Sequence, residues 1–253
     1  MSSDRLVAAQ RAVACLDLTS LNDGDTDTVI EALCAKATTP VGPAAAVCVW
    51  PRFVPLCQRI LGHSEVNVCT VVNFPHGRAG GKRVRAETRA AIADGADEID
   101  VVLPYAAQLS GREADVRGVL DAARQATGDR TLKVILETGR LITADAIDTA
   151  AGLAIEAGAD FLKTSTGKAP ISATLASTHR LLDAAMGASR LVGVKAAGGV
   201  RTTNQALAYL RLADMVMKTT VGPDRFRFGA SGLLNDLLAA LGGGGTPAAT
   251  TGY

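Results

Sequence analysis

Eight short apolar runs recur along the chain, each separated from the next by a longer stretch with helical spacing. They are Ala14–Leu18, Ala44–Val49, Glu65–Val72, Glu98–Leu103, Thr131–Glu137, Phe161–Thr164, Leu191–Lys195 and Phe226–Phe228. Most are rich in Val, Ile or Leu without alternating polarity, as strands buried on both faces are. Between them, Lys82–Asp94 and Glu113–Ala126 repeat apolar residues at i, i+3 and i+4. Thr143–Ala157, Ser172–Met186, Thr202–Leu212 and Ser231–Leu241 read as further helices. Two junctions, Ala93-Asp94-Gly95-Ala96-Asp97 and Glu156-Ala157-Gly158-Ala159-Asp160, are near copies. Each ends a helix on glycine and leads straight into a strand, the turn chemistry of a repeated β/α unit. Eight such units in one chain favour a sheet closed on itself over an open one. The last strand has an equally apolar rival, Met215-Val216-Met217-Lys218-Thr219.

The 253 residues match the usual size of one such closed sheet. The fold expected is α/β, a single (β/α)8 TIM barrel over residues 1–241, followed by a flexible glycine-rich tail over 242–253 that carries Tyr253 at its end. A hydrophobic fraction of 48% with 20% charge describes an ordinary globular chain. The net charge of +1 gives no reason to expect nucleic acid or an acidic membrane as partner. The one basic run (Arg78, Lys82, Arg83, Arg85, Arg89) reads as a solvated helix start, with a phosphate role as its alternative. Five cysteines without metal-ligand spacing read as buried free thiols in a reducing compartment, and the N-terminus lacks the apolar core of a signal peptide. A cytoplasmic location is expected.

Two neighbouring runs, the sixth and the seventh, each carry a lysine, Lys163 and Lys195. An ammonium in such a strand is costly unless it faces a polar pocket or gives up its proton. A second cation nearby favours the neutral amine, and a neutral amine attacks carbonyls. A working Schiff-base lysine needs a pKa near about 7 rather than about 10.4. Lys163 is therefore the candidate nucleophile, against the alternative of a side chain that snorkels out of a strand end. Lys133 in the fifth run and Asp100 in the fourth add a third cation and a carboxylate. Asp100 is either a proton shuttle or a buried partner that only neutralises Lys195. Lys133 sets the local field or ties Asp100 in place. Asp17 and Thr19 are placed just after the first strand, where such barrels hold their sites, and Cys48 is either core or pocket lining.

Three glycine-bearing segments follow strands six, seven and eight: Thr166-Gly167-Lys168, Gly198-Gly199 and Gly229-Ala230-Ser231. Glycine lets backbone N–H groups approach an anion, and the loops after the last strands commonly take phosphate. The three histidines lack ligand spacing, so neither metal nor cofactor is expected.

Together the segments Leu16-Asp17-Leu18-Thr19, Val72-Asn73-Phe74-Pro75, Glu98-Ile99-Asp100-Val101-Val102, Leu132-Lys133-Val134-Ile135-Leu136-Glu137-Thr138, Phe161-Leu162-Lys163-Thr164-Ser165-Thr166-Gly167, Val194-Lys195-Ala196-Ala197-Gly198-Gly199-Val200-Arg201 and Arg227-Phe228-Gly229-Ala230-Ser231 resemble the deoxyribose-phosphate aldolase family. The resemblance implies a class I aldolase that reversibly cleaves 2-deoxy-D-ribose 5-phosphate to D-glyceraldehyde 3-phosphate and acetaldehyde, in deoxynucleoside catabolism. It implies that Lys163 forms the imine, Lys195 depresses its pKa, Asp100 relays protons and Cys48 lines the pocket. It also implies that Tyr253 reaches into the site to assist proton transfer. The partners implied are a phosphosugar and acetaldehyde; a homodimer is common among such barrels, and no residue specifies one. Gly232 stands where a second serine often follows Ser231, which removes one hydroxyl from the expected phosphate site.

Overall fold

The structure is a computed structural model and describes residues 3–242. The expected tail beyond Gly242, Tyr253 included, lies outside the described residues. Eight parallel strands close into a barrel: β1 (Leu16–Ser20), β2 (Ala46–Val49), β3 (Asn67–Val72), β4 (Glu98–Val102), β5 (Thr131–Ile135), β6 (Phe161–Lys163), β7 (Gly193–Ala197) and β8 (Phe226–Ala230). Closure is explicit in the register, because β1 pairs with β2 through Thr19 and Cys48 and with β8 through Asp17 and Gly229. A closed sheet has no unpaired edge to protect.

Eleven α-helices join and cover the strands among the described residues: α1 (Ser3–Ala14), α2 (Asp27–Ala37), α3 (Val54–Leu61), α4 (Gly81–Ala93), α5 (Tyr105–Leu109), α6 (Glu113–Thr127), α7 (Thr138–Leu141), α8 (Ala144–Glu156), α9 (Leu175–Gly187), α10 (Thr203–Met217) and α11 (Leu233–Ala240). Local chemistry starts several of them. The hydroxyls of Thr26, Thr143, Thr174 and Thr202 each accept a bond from a backbone N–H in the first turn of α2, α8, α9 and α10. Thr174 with Ser177 forms a capping box, which is why α9 begins at Leu175 and not at the expected Ser172. None of the helices among the described residues is long and apolar enough to cross a membrane.

The rival for the last strand is helical. Met215 to Met217 complete α10, with Met217 buried and Met215 exposed, until Lys218 takes a left-handed conformation and ends the helix. The first strand starts two residues later than expected, because α1 runs on to Ala14. Asp17 and Thr19 consequently lie within β1 rather than after it. The basic run Arg78 to Arg89 is exposed throughout, four of its five members on α4, where Arg83 pairs with Glu87. That matches a solvated helix face.

Side chains of a barrel strand point alternately out to the helices and in to the axis. The outward set, with the inner faces of the helices, forms the large apolar core that includes Leu18, Val47, Ile99, Val134, Leu162, Val194 and Phe228. Inside, one sector is apolar and small, made by Leu21, Ala46, Cys48, Cys69 and Val71. The adjoining sector is charged, and Cys69 lies at the boundary.

Candidate active site

Seven ionisable side chains converge in that sector: Asp17 from β1, Glu98 and Asp100 from β4, Lys133 from β5, Lys163 from β6, Lys195 from β7 and Arg227 from β8. Each is at most 6% exposed, and Asp17, Asp100, Lys133 and Lys195 are completely enclosed. The register brings them to one face. Lys133 is the partner of Asp100 across β4 and β5, Lys163 of Lys195 across β6 and β7, and Lys195 of Arg227 across β7 and β8. Paired residues in neighbouring strands project the same way, so these contacts follow once the strands align.

An unpaired charge in such a place would cost several kcal/mol. Here every charge meets its opposite. Asp100 Oδ2 accepts from Lys163 Nζ at 2.7 Å and from Lys195 Nζ at 2.8 Å, while Oδ1 accepts from Lys133 Nζ at 3.0 Å. Lys195 Nζ also lies 2.6 Å from Asp17 Oδ2, and Lys133 donates to Glu98. The Arg227 guanidinium donates to Asp17 at 2.7 Å and to Glu98 at 3.2 Å. Because Lys163 and Lys195 share one oxygen, their nitrogens are held within a few ångströms of each other.

These contacts decide the acidities. Burial alone would raise the Asp100 carboxyl, but Lys133, Lys163 and Lys195 outweigh it and hold it well below the usual range. Asp17 is likewise pulled down, against burial, by Lys195, Lys133 and Arg227. Lys133 and Lys195 are pushed up: burial opposes their charge, and Asp100 with the other carboxylates overcomes it. Both are ammonium ions at neutral pH.

Around this cluster the other expected residues fall into three groups. Thr19 is buried, and its hydroxyl donates to the carbonyl of Asp17. Cys48 is enclosed beside Cys69, whose thiol donates to Asp100 at 3.2 Å; the bond from Cys69 draws the Cys48 thiol down to about 7. All five cysteines are free thiols. Gly229 is a strand residue of β8 rather than a loop residue, and a Cβ there would lie 2.9 Å from Ala197 and 3.1 Å from Lys195 Cε. Glycine at 229 makes room for the Lys195 stem, a different reason from the one expected. Gly193 makes room in the same way for the Phe161 ring, over which the Arg227 guanidinium stacks at 5.5 Å.

The third group rims the carboxyl end of the strands, just beyond Lys163. Thr166 is buried, and its N–H and hydroxyl both bond to the carboxylate of Glu137, a residue in left-handed conformation at the end of the β5 segment. Burial pushes the Glu137 carboxyl up, against its bonds from Thr166. Gly167 (φ +78°) and Gly198 (φ +79°) meet: a Cβ on Gly198 would come within 3.2 Å of Gly167 Cα and 2.6 Å of Ser172 Oγ. The N–H of Gly198 is turned to the carbonyl of Gly229 at 3.3 Å. Lys168, Gly199 and Ser231 are exposed, and Gly199 (φ +86°) has open space where a Cβ would stand. Gly232 caps α11, so Ser231 leads directly into that helix.

Glu98, Arg227 and Cys69 join the cluster without having been singled out in the sequence. The available signal was alternation: Glu98 is two residues from Asp100 on the same strand face, and Arg227 stands between two phenylalanines. Donor atoms of Asp17, Cys69 and Glu98, and of Cys48, Cys69 and Asp100, lie within 4.8 Å of one another, the spacing of a metal site. Lysine and arginine nitrogens already occupy the carboxylates of both sets, so the positive charge a metal would bring is supplied by the protein.

The chain belongs to the DeoC/LacD family of aldolases, whose model matches residues 11–239. Among solved structures it is similar to a candidate deoxyribose-phosphate aldolase from Coccidioides immitis, with 32% identity and a TM-score of 0.81 over 90% of this chain and 85% of that one. A candidate deoxyribose-phosphate aldolase from Toxoplasma gondii ME49 shares 27% identity and a TM-score of 0.85 over 97% of this chain and 100% of that one. A deoxyribose phosphate aldolase from Aeropyrum pernix, described as tetrameric, shares 25% identity and a TM-score of 0.73 over 95% and 98% of the two chains.

Proposed function

We propose that the protein is a class I deoxyribose-phosphate aldolase, cleaving 2-deoxy-D-ribose 5-phosphate reversibly to D-glyceraldehyde 3-phosphate and acetaldehyde. The observation that carries this reading is the position of Lys163. It is the last residue of β6, nearest the carboxyl rim of the barrel, and its amine is bound only to Asp100 among the seven clustered groups. Lys195 and Lys133 are each held by two or more carboxylates and are enclosed completely.

Lys163 attacks C1 of the open-chain aldehyde, and water leaves as the imine forms. The protonated imine draws electrons as the bond between C2 and C3 breaks. Cleavage between C3 and C4 would leave three carbons on the lysine; only the C2–C3 break gives acetaldehyde. The C3 hydroxyl proton departs through water, glyceraldehyde 3-phosphate is released, and the enamine takes a proton at C2 before hydrolysis. Asp100 is best suited to be the counter-ion of the protonated imine, since the Lys133 and Lys195 ammonium groups make it a weak base. It positions the water that carries the proton. The loops at Gly167–Lys168, Gly199 and Ser231 border the same rim and are the proposed seat of the phosphate.

The test is release of acetaldehyde and glyceraldehyde 3-phosphate from the purified protein and 2-deoxyribose 5-phosphate, with ketose phosphates that would yield dihydroxyacetone derivatives run alongside. Release from the deoxysugar phosphate alone is expected. Cleavage of a ketose phosphate with none of the deoxysugar would overturn the assignment.

A further inference from the structure

Taken in order, the contacts of the buried cluster form a closed circuit of alternating sign: Asp100, Lys133, Glu98, Arg227, Asp17, Lys195 and back to Asp100. The circuit holds three carboxylates and three cations and is neutral as a whole. Lys163 is attached to it at Asp100 and belongs to no other link. Protonated, it would be the seventh charge in a buried space where six already balance.

This bears on the charge that Lys163 must lose to act as the imine-forming amine of the reading above. Repulsion from Lys195 is the obvious cause, but the Lys195 charge is met by both Asp17 and Asp100. The field at Lys163 depends on the whole circuit, and therefore on its far side. Arg227 and Glu98 form that side. They touch neither Lys163 nor the rim, and the Arg227 fork is fixed by three acceptors, Asp17, Glu98 and the carbonyl of Pro223. Other titratable groups near the cluster are the Cys69 and Cys48 thiols, the Glu137 carboxyl and, on the side of Arg227 and Asp17, the buried Cys15 thiol. Burial pushes both the Cys69 thiol and the Glu137 carboxyl towards their neutral forms.

We propose that Arg227, with Glu98, is a positioning residue that acts through the circuit to keep Lys163 uncharged, by holding the other six groups at zero net charge. This rests on Lys163 being the imine-forming lysine. Removing the guanidinium leaves the circuit with one excess negative charge, which favours the ammonium at Lys163. An uncompensated charge at this range in a protein shifts an ionisation by on the order of one pH unit.

The test uses acetaldehyde itself as probe. Purified protein is incubated with acetaldehyde and cyanoborohydride from about pH 5 to about pH 10, and ethylation of Lys163 is followed by peptide mass. Arg227→Gln is expected to move the midpoint of the rate–pH curve up by about one unit, roughly a tenfold loss of rate below the midpoint. Arg227→Lys, which keeps the charge, is expected to return the midpoint to the wild-type position. Glu98→Gln with Arg227→Gln, which removes one charge of each sign, is also expected to do so. If Arg227→Gln does not fold, Glu98→Gln alone replaces it, with a shift in the downward direction expected. Adducts on Lys163 with one unchanged midpoint in all folded variants would refute the circuit. No adduct on Lys163 of the wild-type protein at any pH would instead refute the imine role on which the proposal rests.

Discussion

Lys163→Met is expected to abolish turnover of 2-deoxyribose 5-phosphate, lowering kcat by on the order of 10⁴-fold or more, while the protein folds as well as the wild type. Loss of a covalent nucleophile removes the whole stepwise route, and what survives is binding without chemistry. Folding is spared for a reason visible in the cluster. Methionine takes away the one amine that the charge balance of the other six groups does not need, and the methionine side chain fills nearly the same space. Lys195 and Lys133 cannot substitute, because both are enclosed and pushed towards the ammonium form by their carboxylates. Steady-state assays with a thermal melt on the same sample check both halves. Residual activity within tenfold of wild type would place the nucleophile elsewhere.

Asp100→Asn is expected to damage stability as well as activity. Asp100 is the carboxylate on which the Lys163 amine and the Lys195 and Lys133 ammonium groups converge, at 2.7, 2.8 and 3.0 Å, with no access to solvent. Breaking a buried ion network from one side typically costs about 3–5 kcal/mol. For a domain of this size that corresponds to a fall in Tm on the order of 10 °C. The pH dependence has a definite sign. The folded protein holds Asp100 well below its ordinary pKa, so its carboxylate contributes stability above the unfolded value of about 3.9 and loses it as pH falls towards the folded value. The difference in Tm between the variant and wild type is therefore expected to be constant near neutrality and to narrow below about pH 4. A variant as stable as wild type at pH 7 would contradict the network.

The architecture was legible in the chain because its signal is repeated. Eight apolar runs and their glycine-punctuated junctions specify a closed sheet even when single boundaries slip, as at β1, which starts at Leu16 because α1 extends to Ala14. Met215 to Met217 misled for a physical reason: three apolar residues in a row satisfy a buried strand and a half-buried helical turn equally, and only the packing of Met217 inward and Met215 outward separates the two. The short helices α5 and α7 carry too few residues for a period to show.

The site was legible in part. Lys163, Lys195, Lys133 and Asp100 stood out because a charge in an apolar run needs an explanation. Arg227 and Glu98 obey the same rule and were passed over, the first between the two phenylalanines of a three-residue run and the second at a strand's first position. Asp17 had been placed beyond its strand among groups that contact substrate; it is wholly buried on Lys195 and Arg227, which makes it a partner of the lysines. Gly229 shows the limit of a motif: its spacing suggested an anion cradle, and the clearance of Lys195 Cε is a further demand for glycine that the spacing does not reveal. Such distances come from the closure of the barrel and are written in no local stretch.

The central claim is that an uncharged amine at Lys163 carries the chemistry. Borohydride reduction of the protein in the presence of 2-deoxyribose 5-phosphate, followed by peptide mapping, tests it most directly. The account predicts irreversible inactivation with a single adduct on Lys163. An adduct on Lys195 or Lys133, or full activity surviving reduction with no adduct, would contradict it.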